Sequence, residues 1–364
     1  MSFYAQELKA LQKSGRLRSR EVVDESLLDF ASNDYLGLSQ IQSLHKQASQ
    51  KLDSLKCHSS KASMLVNGYH QIHKDFEEAL SRANSFEESI VMGSGFNANI
   101  ALIEALVRKG DELFMDELYH ASGVLATHLS SVKVTFFKHN DMQELEHLLK
   151  NSTAKRRIVA VEGIYSMSGD LCPRKVFDIC DIDGALLIVD EAHSSGVVGE
   201  KLMGVFDLYG IKPRENHIKM GTLGKAYGSF GAFICASRHI VEYLINRAKP
   251  IIYATSLSLY DTQLGHEALK YIQANTKELQ KEIAARKKIV FDSLGLKIDG
   301  LIVPIEIGDN KRVLEIKNRL LGLGYSVGGI RQPTVPNAII RVIARLGESK
   351  ENLRVLCENL AKIK

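Results

Sequence analysis

The stretch Gly221–Ala232, GTLGKAYGSFGA, sets one lysine among small residues. A lysine amine reacts with a carbonyl carbon only when its approach is open and it has shed its proton. Glycine, serine and threonine neighbours supply the first condition, so Lys225 is a candidate Schiff-base lysine. Upstream, Asp190 and His193 end the apolar run ALLIV in the pattern D-x-x-H. A carboxylate on a rigid strand end can keep a heteroaromatic ring nitrogen protonated, and a histidine three residues on can reach an oxygen of the same ring. Further upstream, Gly93-Ser94-Gly95-Phe96-Asn97 is a glycine turn entering a helix, where free backbone N–H groups of Gly95 and Phe96 and the Ser94 hydroxyl suit a phosphate. Thr222 offers another hydroxyl, Glu162 and Ser166 follow the run RIVAV, and His120 in LYHASG is placed to stack on a ring face. Aldehyde, ring nitrogen, phosphate and ring face each find a partner here. Together these residues describe a pyridoxal 5′-phosphate (PLP) site.

Each residue also has a plainer reading: a solvated lysine in a turn, an aspartate capping a helix, a structural histidine. A rival chemistry exists too. Gly93-x-Gly95-x-x-Ala98 fits the G-x-G-x-x-A dinucleotide fingerprint, and Asp116 ends the following strand, as a nicotinamide-dependent oxidoreductase requires. That fingerprint leaves Asp190, His193 and Lys225 without roles.

The elements that would position these groups can be read from periodicity. Short β-rich runs at 89–93, 112–116, 133–137, 157–163, 185–193, 218–222 and 231–237 alternate with amphipathic segments such as 97–110 and 141–150. The alternation predicts an α/β fold with a mostly parallel seven-stranded sheet covered by helices on both faces, its last pair antiparallel around the Lys225 loop. In such sheets ligands bind beyond the carboxyl ends of the strands, which is where the candidate groups fall. Beyond residue 250 a long helix over roughly 257–294 leads to strands at 300–308, 325–330 and 338–346 and a helix at 349–363. The expected organisation is a helical arm (1–32), a large cofactor-binding domain (33–256) and a smaller C-terminal α+β domain (257–364).

Composition excludes several classes. The net charge of +4 over 364 residues is slight, and no stripe of basic and aromatic residues points to nucleic acid. No apolar run has membrane-spanning length, and the N-terminal twenty residues read as an amphipathic helix with a basic end rather than a signal peptide. The five cysteines are odd in number and none is paired as C-x-x-C, so neither a disulfide framework nor a zinc site is expected, and a cytoplasmic protein is.

Eight stretches carry a resemblance: SNDYLGLS (32–39), LVNGYHQIHKDFEEAL (65–80), GSGFNAN (93–99), YHAS (119–122), EGIYSMSGD (162–170), VDEAHSSGVVGE (189–200), TLGKAYGSFGA (222–232) and IYATSLS (252–258). In order and content they resemble the α-oxoamine synthases, a family of fold-type I PLP-dependent enzymes. The resemblance implies a decarboxylative condensation of an amino acid with an acyl thioester, with Lys225, His120, Asp190 and His193 as catalytic groups. The stretch IRQPTVP (330–336) is most similar to the member that joins L-alanine to a pimeloyl group carried on coenzyme A or on an acyl carrier protein, a step of biotin synthesis. By the same resemblance Arg331, with Asn33, holds the amino-acid carboxylate, Arg18 and Thr334 contact substrate, and the enzyme is a homodimer in which Thr255 reaches the partner's phosphate. Relatives that use glycine, a transaminase and a non-enzymatic cofactor-binding regulator stay open at this point. CHSSKASM (57–64) lacks the family's glycines, and Ser168 stands where many members have an acid.

Overall fold

The structure is a computed structural model describing residues 2–14, 16–18, 20, 22–129 and 132–363. Seven strands form its main sheet: β1 (Glu88–Met92), β2 (Glu112–Asp116), β3 (Lys133–Phe137), β4 (Arg157–Glu162), β5 (Leu186–Asp190), β6 (His217–Thr222) and β7 (Ala232–Ala236). Their order across the sheet is β1-β7-β6-β5-β4-β2-β3, and only β7 runs against the others. The expected mostly parallel sheet is present. The strands predicted at 185–193 and 231–237 are shorter because the chain leaves the ladder at Asp190 and at Ala236.

The inner strands read as mainly apolar runs because both faces are buried, while the edge strand β3 is largely uncovered. Successive side chains alternate sides. Leu187, Val189, Val159, Val161 and Phe233 join one core, and Ile188, Ile158, Ala160, Ile218 and Ile234 join the other. The register sets Glu162 of β4 directly beside Asp190 of β5, and Asp190 beside Met220 of β6. Two carboxylates thus end neighbouring strands on the same face of the sheet, with Thr222 two residues beyond Met220.

A 36-residue helix, Leu259–Leu294, connects to a three-stranded antiparallel sheet of β8 (Ile302–Gly308), β9 (Gly328–Ile330) and β10 (Ala338–Ile343), ordered β9-β10-β8. The run predicted at 325–330 breaks at Val327: Tyr325–Ser326 pairs instead with Leu28–Asp29. The segment from Leu28 to Tyr35 is bound to this C-terminal part. Ile343 N–H donates to Phe30 O, Leu346 N–H to Tyr35 O, and Arg345 pairs with Asp29 (2.7 Å) and Asp34 (2.6 Å). Asn33 and Tyr35 are thereby carried to the mouth of the main sheet. The N-terminal helix, Phe3–Lys13, has no buried residue.

Candidate functional site

The lysine loop explains its own composition. Leu223 N–H donates to Gly231 O, Ser229 N–H to Leu223 O and Gly228 N–H to Lys225 O, a tight closed turn between β6 and β7. Gly228 has φ +58°, and a Cβ there would lie 2.5 Å from the backbone nitrogen of Ser39. Glycine is needed for the left-handed backbone and for the approach of the SNDYLGLS segment. Ser229 Oγ also donates to Asp261 O at the start of the long helix (2.7 Å). The lysine therefore leaves a fixed backbone.

Lys225 is half-buried and faces a cavity of about 210 Å³, far larger than the ~30 Å³ of one water. Gly95, Phe96, Asn99, His120, Ser122, Glu162, Asp190, His193 and Thr222 line the same space. Lys225 Nζ lies 2.8 Å from His193 Nε2. Burial lowers the lysine to about 8, against the opposing pull of Asp190 and Glu162, so a neutral amine is within reach near neutral pH. His193 is buried, and that burial, with the positive charges of Lys225 and Arg341, holds it well below its ordinary value. It is neutral. Its Nδ1 lies 2.5 Å from the hydroxyl of Tyr35.

Asp190 accepts hydrogen bonds from Asn99 Nδ2 (2.8 Å) and from the Ala192 N–H (3.0 Å). Asn99 is held in turn by the Tyr119 hydroxyl, which donates to its Oδ1 (2.7 Å), while its Nδ2 also reaches Ser122 Oγ (3.0 Å). His120 accepts the Ser122 N–H at Nδ1 (3.2 Å), so the proton of the neutral ring sits on Nε2; burial lowers this histidine too. Glu162 is buried beside Asp190, accepts only the Ser166 N–H at Oε2, and leaves Oε1 without a partner. Burial first, then the neighbouring Asp190 charge, raises it well above its ordinary value. Ser94 caps the helix Gly95–Leu106 by accepting the Asn97 N–H, leaving the Gly95 and Phe96 N–H groups at the helix N-terminus. The expected hydroxyl of Thr222 is already engaged, donating to Gly231 O at 3.0 Å.

This donor set fits PLP. It offers an amine for the aldehyde, a buried carboxylate for the ring nitrogen, a helix N-terminus for the phosphate, and an orphaned polar oxygen inside the cavity. Among the described residues no group of His, Cys, Asp and Glu could hold a metal ion, and no helix is long and apolar enough to cross a membrane.

The substrate residues divide. Asn33 Oδ1 accepts from Arg341 Nη1 (3.0 Å), and Arg341 Nε donates to Ser166 O (2.8 Å). The guanidinium beside Asn33 is thus that of Arg341, which lies outside the motif stretches. Arg331 instead lines a cavity of about 570 Å³ with Arg16, Arg18 and Thr334 against the N-terminal helix. Thr334 also lines a mainly apolar cavity of about 760 Å³, walled by Leu118, Val124, Leu125, Met167, Pro304 and Ile339, which touches the lysine cavity at His120. Thr255 is exposed and lines neither.

The family described as aminotransferase class I and II matches residues 25–360. A Helicobacter pylori strain J99 protein named 8-amino-7-oxononanoate synthase is 42% identical over 359 residues, covering 98% of this chain and 96% of the relative. The chain belongs to the 8-amino-7-oxononanoate synthase family. A Geotalea daltonii relative with the same name is 36% identical, covering 92% of this chain and 90% of its own. The solved 8-amino-7-oxononanoate synthase of Francisella tularensis is 27% identical at a TM-score of 0.76, covering 93% of this chain and 99% of that one. Serine palmitoyltransferase from Sphingomonas wittichii, 23% identical, superposes at a TM-score of 0.89 over 99% of this chain and 96% of its own; that likeness shows the fold-type I architecture alone. PLP is the cofactor of 8-amino-7-oxononanoate synthases, and acyl transfer is their chemistry.

A second polar cluster supports the loop that carries Ser166. His139 bridges Asp116 (3.0 Å) and Asp170 (2.8 Å) and packs edge-on against Tyr165, ring centroids 4.4 Å apart. Although burial opposes it, hydrogen bonds to the two carboxylates raise His139 to about 10 from an ordinary 6.5. A raised folded-state value stabilises fully below 6.5, and the stabilisation declines as pH rises to about 10. Thermal unfolding of the wild type is expected to lose stability across that window relative to His139→Gln. Parallel pH profiles for the two proteins would contradict the pairing.

Proposed function

We propose that this chain condenses L-alanine with a pimeloyl thioester, releasing the free thiol and the alanine carboxylate as CO2, in the cavity around Lys225. The observation that carries the reading is the meeting of two unlike cavities at His120: a small polar one holding Lys225, Asp190 and Glu162, and a larger apolar one suited to a chain of methylenes. Bound PLP supplies an electron sink next to the amino acid's Cα.

The residues divide the remaining tasks. Lys225, lowered to about 8, takes and returns the Cα proton from a fixed loop. Asp190, held by Asn99 and the Ala192 N–H, pairs with the protonated ring nitrogen. Neutral His193 would meet the ring oxygen, and His120, fixed by Ser122, would cover the ring face, while it also borders the acyl cavity. Ser94, Gly95 and Phe96 meet the phosphate at the helix N-terminus, with Thr222 behind them, and the Ser166 N–H holds Glu162. Arg341, braced by Ser166 O and Asn33, binds the alanine carboxylate bidentately. Arg331, Arg18 and Thr334 contact the acyl donor where the two outer cavities meet. The reading includes a homodimer in which Thr255 reaches the partner's phosphate. Its support is a set of exposed rings, Tyr253 (79%), Phe230 (56%) and Phe96 (46%), of the kind an interface covers.

Arg341→Gln is expected to raise KM for alanine by about 10- to 100-fold, the value of a charge-assisted hydrogen bond, with a smaller change for the thioester. Arg331→Gln is expected to act on the thioester KM instead. The reverse pattern returns the carboxylate to Arg331. The reaction itself is tested by supplying the PLP-loaded enzyme with pimeloyl thioester and alanine, glycine or serine, and measuring amino ketone and CO2 together. Equal amounts of both, with alanine preferred, are expected. Preference for glycine or serine, or pyruvate from alanine without thioester, would overturn it.

A further inference from the structure

Tyr35 is fully buried, and its hydroxyl sits between two acceptors: His193 Nδ1 at 2.5 Å and Asn33 Oδ1 at 3.3 Å. Arg341 donates to the same Asn33 oxygen, which fixes that atom as an acceptor facing the phenol. On the far side of the imidazole, His193 Nε2 meets Lys225 Nζ at 2.8 Å. The phenol has one proton and two places to put it.

We propose that Tyr35 is a positioning residue whose hydroxyl, by turning between Asn33 and His193, lets His193 exchange tautomers while staying neutral as Lys225 loses and regains its proton. When Lys225 is an ammonium it donates to Nε2. The neutral ring then carries its proton on Nδ1, which donates to the Tyr35 oxygen, and the phenol donates to Asn33. When Lys225 is an amine it accepts from Nε2–H, and bare Nδ1 accepts the phenol proton. Every polar atom of the trio is paired in both states. In the exchange Nε2 gains a proton and Nδ1 loses one; the phenol keeps its own, and the net proton leaves Lys225 through the cavity to water. The phenol itself does not ionise, since burial pushes it up to about 12. The other groups facing Lys225 are Asp190, Glu162, Arg341 and His120; of these only Arg341 also bonds the phenol, and in Tyr35→Phe it keeps Asn33 Oδ1 and Ser166 O.

The inference rests on Lys225 being the reacting amine, and its test needs neither substrate nor cofactor. In Tyr35→Phe the ammonium state leaves Nδ1–H buried without an acceptor, whereas the amine state leaves only a bare lone pair, so the amine state is favoured. Reductive methylation of the cofactor-free enzyme by formaldehyde, followed at the Lys225 peptide by mass spectrometry across pH, should give a midpoint lower by about one unit in Tyr35→Phe. In the wild type, the 15N signals of histidine-labelled enzyme, with His193 assigned by its loss in His193→Gln, should move from the Nδ1–H to the Nε2–H form as pH rises through that midpoint. The Phe variant should make the same change at its own, lower midpoint. An unchanged midpoint, or a wild-type His193 locked in one tautomer across the titration, overturns the proposal. Should Tyr35→Phe not fold, the wild-type titration alone decides it. Failure of the condensation assay would leave these readouts untouched, so the two failures are distinguishable.

Discussion

Lys225→Ala is expected to abolish turnover, lowering kcat by on the order of 10⁴-fold or more, because one amine serves both as the cofactor's anchor and as the base at Cα. The fold should survive. The loop is closed by the backbone bonds of Leu223, Gly228 and Ser229 and by the Ser229–Asp261 contact, none of which uses the lysine side chain. What the substitution removes is a cation held in a buried site at the cost of its hydration, together with one hydrogen bond to neutral His193. The melting temperature should therefore be equal to or above that of the wild type. Steady-state rates with circular dichroism on the same preparation check both halves. A variant that turns over at an appreciable fraction of the wild-type rate contradicts the assignment, and a variant that unfolds contradicts the description of the loop.

Asp190→Asn should be nearly as severe, with kcat lower by about 10³-fold and weaker retention of PLP. The amide matches the carboxylate in shape but not in its hydrogen bonds. Asp190 faces two donors, Asn99 Nδ2 and the Ala192 N–H, and an amide presents one of them with an opposing N–H₂ group. The loss also spreads to Glu162. Burial and the Asp190 charge on the adjoining strand both raise that carboxyl, so removing the charge lets Glu162 ionise at lower pH. The variant is thus expected to regain part of its cofactor affinity as pH rises, and Asp190→Asn with Glu162→Gln to lose that recovery. Spectral titration of both variants with PLP reads this directly. Equal pH profiles would mean that Glu162 does not answer to Asp190.

Much of this site could be read in the sequence because it falls at strand ends. Asp190, Glu162 and Thr222 each close an apolar run, and a parallel sheet brings such ends to one edge whatever the loops do. Asn99 was open to the same reasoning. It is a buried polar residue four positions from Gly95, on the same face of a mainly apolar helix whose other polar residues are Asn97 and Glu104. Arg341 left a fainter trace, a charge inside the strand AIIRVI, where every residue is buried. A motif nearby drew attention to Arg331, yet the cross-strand register of the small sheet and its docking on residues 28–35 decide which guanidinium faces Asn33. Those contacts join residues some three hundred positions apart, as the Asn33–Arg341 bond does, and no local pattern encodes them. Tyr35 belongs to a recognisable stretch, but its partner His193 lies 158 residues on. Its role is visible only once the turn is folded against the strand end. The hydroxyl of Thr222 shows the opposite limit: its type suggested a phosphate donor, while the local turn claims its proton for Gly231.

The most direct test of the account is to reduce the PLP-loaded enzyme with borohydride, digest it and locate the pyridoxyl group by mass spectrometry. A single modified lysine, Lys225, is expected, with labelling blocked when L-alanine is present before reduction. A pyridoxyl group on another lysine, or none on a protein that condenses alanine with the thioester, would contradict it.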